Sequence, residues 1–353
     1  MNRLAALCRA SLIAVILLNT SAVRGADWTD TLREHVERID EQTPGRLGVY
    51  VKRLADQKSL EYQADRLWYL SSAVKVPIAI VVLQEFQSGK RSLEEKIVLK
   101  ATDKIDGSGA LVWQDEGRAH SVASLIKRML MESDNTAANL LVRAVGEDTV
   151  NRRARDFLGS KGFRKITDFT QVRYAVYGEL HPAVRKLTNL ELVQVAAAPL
   201  GPERVVALRR VLSLEPSDLK LRTIEEAYAK YYALQLNSAT LVAYGAMLEN
   251  LVRGKLLSPE HTQFMFTHMK YGSYDAYRLE AGLPKEARFI HKTGTQLGRA
   301  CHMGVINPQD QGQNGIVVAV CAEDLDEDRE AGQAFERIGQ AITQTLLREN
   351  GAR

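Results

Sequence analysis

The sequence predicts an α/β fold of the α+β type: a five-stranded antiparallel sheet flanked by terminal helices, with an all-helical lobe inserted into it. Two observations carry this expectation. Short strand-like runs sit near both ends of the chain, two ahead of residue 70 and three after residue 287, and the long middle has helical periodicity. Strands from both ends must pair into one sheet, whose apolar faces need helices to cover them. With 353 residues, 45% hydrophobic and 25% charged, the chain can bury a large core.

Taken in order, residues 1–25 read as a secretory signal peptide. Arg3 and Arg9 flank the start of the apolar run Ser11–Leu18, and small residues follow at Ser21, Ala22, Gly25 and Ala26. The run is too short to span a bilayer. The expectation is a secreted, periplasmic protein with no stable membrane insertion after signal cleavage; an uncleaved anchor is the alternative. Removing the three arginines of this segment takes the formal charge from +4 to +1, which gives no argument for nucleic acid or a membrane surface as partner.

Asp27–Glu41 has helical spacing, Leu47–Leu54 reads as a strand and Ser59–Ala64 as its partner. Ser72–Phe86 reads as a helix whose second turn is distorted, because Pro77 removes a backbone donor. Asp106-Gly107-Ser108-Gly109 is a loop, and Ser121–Met131 and Thr136–Val145 are apolar-periodic helices. Thr188 and Glu191 form a capping-box pattern, Gly201-Pro202 is a break, and Ile224, Tyr228 and Tyr231 mark a helix face read as packing. Arg288–Thr293, Cys301–Ile306 and Ile316–Cys321 are the last strands, and Ala331–Leu347 is a closing amphipathic helix. These elements divide the chain into a sheet lobe (26–70 and 287–353) and a helical lobe (71–286), with an unusual segment at about 171–236.

Facing pairs in a symmetric hairpin have residue numbers of constant sum. Cys301/Cys321 and Ile306/Ile316 share one sum, so the cysteines would face each other. Two readings stand: a cross-strand disulfide in an oxidising compartment, or two buried thiols.

Three motifs carry chemistry: Ser72-Ala73-Val74-Lys75, Ser133-Asp134-Asn135 and Lys292-Thr293-Gly294. Ser-x-x-Lys alone is expected about once by chance in a chain of this length; the three in this order are far rarer. Ser72 and Lys75 would share a helix face. A serine hydroxyl is a weak nucleophile until a base takes its proton, and Lys75 can do so only if its surroundings keep it neutral. Ser133 offers a hydroxyl for proton relay, and Asn135 an amide contact. Lys292 and Thr293 suit a carboxylate, and Gly294 would let a ligand approach the strand edge. The implied substrate has a carbonyl, a neighbouring amide and a carboxylate. A small-molecule β-lactam and the acyl-D-alanyl-D-alanine end of a peptidoglycan stem peptide both fit.

With these motifs, the stretches DGSGALVWQDEG and SLIKRMLMESDNTAANLL (within 106–141), NSATLVAYGAMLENLVRGKLLSP (237–259) and HKTGT (291–295) resemble the class A β-lactamase-like serine hydrolases. The resemblance implies the β-lactamase/transpeptidase fold, no cofactor, and an acyl-enzyme on Ser72 activated by Lys75. It makes Ser133 the proton relay and Asn135 the amide contact. Lys292, Thr293 and Thr295 become the carboxylate contacts, and the backbone N–H groups of Ser72 and Thr295 the oxyanion hole. The expected activity is a serine β-lactamase. The alternatives are a penicillin-binding DD-carboxypeptidase or transpeptidase, and a binding module that is acylated without turnover.

The pattern breaks in one place. The family's Ω-loop glutamate, which activates the deacylating water, is expected near Thr167–Arg173, and that stretch holds no Glu. Glu179 is the nearest substitute on the C-terminal side and Asp168 the other local candidate. His291, Cys301 and His302 are metal-ligand types, but no zinc spacing is present, and Cys301 and His302 should point to opposite faces of a strand. His302 or Arg299 could instead supply a second carboxylate contact.

Overall fold

The computed structural model describes residues 27–87, 91–270 and 276–347. The signal-peptide expectation lies outside them. Helix α1 (Trp28–Glu41) starts on an Asp27 N-cap and buries Trp28, Leu32, Val36 and Ile39 on one face. Strands β1 (Arg46–Arg53) and β2 (Ser59–Tyr62) form a hairpin. After β3 (Leu67–Tyr69), a 3-10 turn over Ser71–Val74 runs directly into α2 (Lys75–Gln87).

The helix expected over Ser72–Phe86 is therefore a composite, tight at its start and α-helical beyond Lys75. Pro77 cannot donate to the carbonyl of Ala73, four residues back. The structure repairs the loss with the hydroxyl of Tyr244, which donates to Ala73 O at 2.8 Å from a fully buried position.

Strands β4 (Lys96–Val98) and β5 (Ala119–Ser121) pair beside α3 (Val122–Met131), α4 (Asn135–Val145) and α5 (Glu147–Leu158). Next come four helices, α6 (Phe169–Leu180), α7 (Asn189–Ala196), α8 (Pro202–Leu212) and α9 (Ile224–Ala233). The capping box at Thr188/Glu191, the break before Pro202 and the buried face of Ile224, Tyr228 and Tyr231 are present as expected. These helices enclose a core of their own, built from Val172, Val176, Leu192, Leu208 and Tyr228 among others. The unusual segment thus starts at Phe169, two residues before the expected boundary, because Asp168 caps α6 through Gln171 N.

The chain leaves these helices through β6 (Ser238–Thr240), which pairs with β3. Asn237 seals the junction by accepting from Thr167 N and donating to Thr167 Oγ1. Helices α10 (Leu241–Val252) and α11 (Pro259–His268) follow, then strands β7 (Phe289–Gln296), β8 (Arg299–Ile306) and β9 (Ile316–Glu323). The five-stranded sheet has the order β2-β1-β9-β8-β7, with every neighbouring pair antiparallel. One face packs on α1 and the C-terminal helix Arg329–Ile342, which continues as a wider turn to Leu347; the other packs on the helical lobe. Cys301 faces Cys321 across β8 and β9 and is joined to it by a disulfide, with Cα atoms 4.0 Å apart.

Tyr244→Phe tests the repair at Pro77. Losing the hydroxyl strands a buried carbonyl, so urea unfolding should give a stability lower by about 1–3 kcal/mol. An unchanged midpoint would show that Ala73 O has another partner.

Candidate active site

Ser72 lies in the tight turn before α2, and Ser71 beside it is held at φ 51°, in the left-handed region. Ser133 has φ 56° and bridges the end of α3 and the start of α4. Two non-glycine residues in this sparsely populated conformation thus flank the Ser72–Lys75 pair, and such strain is often found at functional sites. Asp134 makes the second turn possible: its buried carboxylate caps α4 through Ala137 N at 2.8 Å and accepts from Leu111 N at 3.0 Å.

The two motifs meet at Lys75. Its Nζ is 2.6 Å from both Ser133 O and Asn135 Oδ1, 2.9 Å from Ser72 Oγ and 3.1 Å from Ser133 Oγ. A carbonyl and an amide oxygen can only accept, so they take two N–H bonds. The remaining contacts are hydroxyls, which can donate. A neutral amine therefore fits the site with its lone pair toward hydroxyl protons. Burial, then the charge of Lys292, holds the Lys75 amine well below the usual lysine range, against the opposing pull of Asp134. Ser72 is half-buried while Lys75 is fully buried, so the hydroxyl is the part of the pair open to a ligand.

Lys292, on β7, reaches the same hydroxyl: its Nζ is 3.1 Å from Ser133 Oγ and 3.0 Å from Thr293 O. Burial, then Arg278, lowers its pKa to about 7. Gly294 has a different use from the one the sequence suggested. A Cβ there would lie 2.2 Å from Leu70 O and 3.1 Å from Ala73 N, so its bare backbone lets β7 press against the nucleophile turn.

β7 is the edge of the sheet, and His291 N donates outward to Met269 O at 2.8 Å. N–H groups two and four residues along an unbroken strand point the same way. The N–H and C=O of Thr295 therefore face the free edge, beside Ser72.

Sequence reasoning missed two residues. Arg278, in the turn ahead of β7, is 2% exposed; it donates to Gly294 O at 3.1 Å and to Thr295 Oγ1 at 3.1 Å, bringing a fixed cation to the strand end. No periodicity or motif around Arg278 announces it. Phe169 is the second. Asn139 Oδ1 accepts from its backbone N–H at 2.9 Å, and Lys75 Nζ lies 4.5 Å from its ring centroid. The aromatic ring thus stands beside the Ser72–Lys75 pair, inside the stretch where a glutamate was expected.

The structure does not bring Glu179 to this cluster. It lies ten residues after Phe169 on α6, about 15 Å along the helix axis. Asp168 is turned away as well: burial raises its carboxyl, which caps α6 and lines a separate cavity with Glu147, Lys165 and Tyr174. His302 is not a carboxylate contact either. It is fully buried, 2.9 Å from His291 Nδ1 and accepting from Leu279 N at 3.3 Å. Arg299 is engaged by Asp324 at 2.7 Å and stacks on Tyr232. Cys301 is consumed by the disulfide, and no group of three or more potential ligands that could hold a metal ion occurs among the described residues.

A family model described as the β-lactamase enzyme family matches residues 31–346. β-Lactamase OXY-2 of Klebsiella oxytoca is 24% identical over 294 residues, covering 81% of this chain and 80% of that protein. β-Lactamase CTX-M-97 of Escherichia coli is 25% identical over 296 residues, covering 83% and 82%. Among solved structures, a mutant of PBP-A in an acyl-enzyme complex with penicillin G shares the fold, with TM-score 0.66, 16% identity and coverage of 91% of this chain and 97% of that one. A β-lactamase from Xanthomonas campestris pv. campestris does so with TM-score 0.65, 21% identity and coverage of 92% and 100%.

The two lysines predict a bell-shaped pH dependence for reaction at Ser72. Lys75 must be neutral, so the rate rises with pH through its lowered pKa. Lys292 must be charged to attract a carboxylate, so the second-order rate constant, which reports the free enzyme, should fall as pH rises through about 7. An acyl donor lacking a carboxylate should show the rising limb without the fall. Identical profiles for both donors would contradict this assignment.

Proposed function

The chain belongs to the β-lactamase enzyme family, and from that premise we propose that it is a penicillin-binding serine acyl-transfer enzyme. Its own substrate is an acyl-D-alanyl-D-alanine terminus of peptidoglycan, and β-lactams acylate the same serine. Export to the periplasm, implied by residues 1–25, is part of this proposal.

Lys75 takes the proton of Ser72 Oγ as that oxygen attacks the substrate carbonyl. The oxygen of the tetrahedral intermediate sits between the N–H groups of Ser72 and Thr295. Ser133, 3.1 Å from both lysine amines, passes a proton from Lys75 to the leaving nitrogen. Lys292, Thr293 and Thr295 hold the carboxylate, with the buried Arg278 behind them bonded to Thr295 Oγ1, and Asn135 Nδ2 binds the acyl amide. Asn135 is already oriented for this, since it accepts from Lys75 and donates to Asp106 O at 2.8 Å.

The observation that carries the penicillin-binding reading is Phe169. An apolar ring beside Lys75 cannot activate water, so a β-lactam acyl group would persist on Ser72. The second reading, a β-lactamase that hydrolyses its acyl-enzyme, is favoured by the names of the relatives in sequence, OXY-2 and CTX-M-97. It requires a deacylating base other than Glu179 or Asp168.

Intact-mass time courses with benzylpenicillin separate the two. The first reading gives a stable adduct of the mature protein plus one penicillin, absent in Ser72→Ala. Rapid loss of the adduct with accumulating penicilloate supports the β-lactamase. Phe169→Glu places a carboxylate beside the acyl group and should shorten the adduct lifetime about a hundredfold, the scale of a positioned general base. A lifetime unchanged by that substitution would remove Phe169 from the argument.

A further inference from the structure

We propose that Tyr232 is a specificity-determining residue: it closes the acyl end of the cleft and selects short acyl groups over bulky ones. This rests on the acyl-serine reading of Ser72. An acyl amide on that serine lies between Asn135 and the outward-facing carbonyl of Thr295, so the rest of the acyl group leaves between two walls. One wall is the Asp106–Gly109 loop; the other is the turn that follows Thr295, from Gln296 to Arg299.

The inserted helices tie both walls together. On one side, the buried guanidinium of Arg173 makes a two-pronged contact with Asp106 at 2.8 and 2.7 Å, backed by Tyr228 Oη at 3.2 Å. On the other, Tyr232 donates from its hydroxyl to Leu297 O at 2.8 Å, and the Arg299 guanidinium lies 4.5 Å from its ring centroid. Behind it, the rings of Tyr69 and Tyr231 pack at a tilt, with centroids 5.0 and 5.8 Å away, and fix the ring. Tyr69 is three residues from Ser72, so this aromatic wall begins beside the nucleophile.

The two attachments differ in strength. A bidentate, buried ion pair outweighs one neutral hydrogen bond from a half-buried ring. A bulky acyl group would therefore be opposed at Tyr232, the weaker attachment, and would have to displace it.

The test compares 6-aminopenicillanic acid with piperacillin, which share a nucleus; the first has a free 6-amino group and the second carries a bulky acyl group on it. Second-order acylation constants are read by intact mass for the wild type, Tyr232→Ala and Tyr232→Phe, each checked for folding by thermal melting. Tyr232→Ala should speed piperacillin by about tenfold or more and 6-aminopenicillanic acid by less than about twofold, in line with what steric discrimination in a pocket supplies. Tyr232→Phe, which keeps the ring and loses the latch, should give a smaller gain in the same direction. If both compounds change by the same factor, or piperacillin gains in neither variant, Tyr232 does not set the acyl-group size. If Tyr232→Ala fails to fold, the ratio in Tyr232→Phe decides alone. Failure of the wild type to form an adduct with either compound overturns the acyl-serine reading, and this inference with it.

Discussion

Everything in the cleft depends on the burial of one amine. Lysine in water is protonated at neutral pH and cannot take a proton from serine. Here the amine of Lys75 is enclosed by the turn that carries Ser72, by the left-handed backbone of Ser133, by Asn135 and by the ring of Phe169. Lys292 adds a like charge through the hydroxyl they share. These contacts come from three separate stretches of the chain, around Ser72, Ser133–Asn135 and Phe169. The packing of both lobes is what makes the local chemistry available, and loosening any wall would readmit water and restore the charge.

The site keeps this geometry with a four-helix segment packed beside it. The segment from Phe169 to Leu236 leaves after Thr167 and returns at β6, where Phe163 bridges to Ala239 and Asn237 is bonded across the junction to Thr167. Its helices pack on one another around a core that also takes in Tyr69 and Ile105. The segment touches the region of Ser72 mainly through polar anchors, Arg173 and Tyr232, and through Phe169. It can shape access to Ser72, while the geometry of Ser72 and Lys75 is set by the turn before α2 and by Ser133 and Asn135.

Much of this was legible in the sequence where a pattern is local. The strand runs, the paired cysteines in register and the capping box at Thr188 follow from periodicity and spacing, and the structure has them. The motif residues Ser72, Lys75, Ser133, Asn135 and Lys292 were expected together and are within hydrogen-bond reach of one another in a chain of contacts. What was not legible depends on distance in space. Arg278 belongs to no motif, and only its burial against Gly294 and Thr295 reveals it. Glu179 was plausible by sequence distance, but a continuous helix after Phe169 carries it away from the site. The role of Gly294 was misread because the sequence does not show that the nucleophile turn, rather than open cleft, lies against it.

Phe169 exposes a conflict between the two halves of an acyl-transfer cycle. A carboxylate in its place would attract a proton to Lys75. At about 4.5 Å and an effective dielectric of about 20, two unit charges interact by on the order of 4 kcal/mol. That is enough to favour the charged amine and oppose its use as the base for acylation. The same carboxylate is what a water molecule needs to attack the acyl-serine. An aromatic ring resolves the conflict in favour of acylation: it adds desolvation, brings no charge and offers water no base. A site built this way suits an acceptor delivered with its own nucleophile better than one that must activate bulk water, and the absence of a carboxylate beside Lys75 is then part of how the amine is kept neutral.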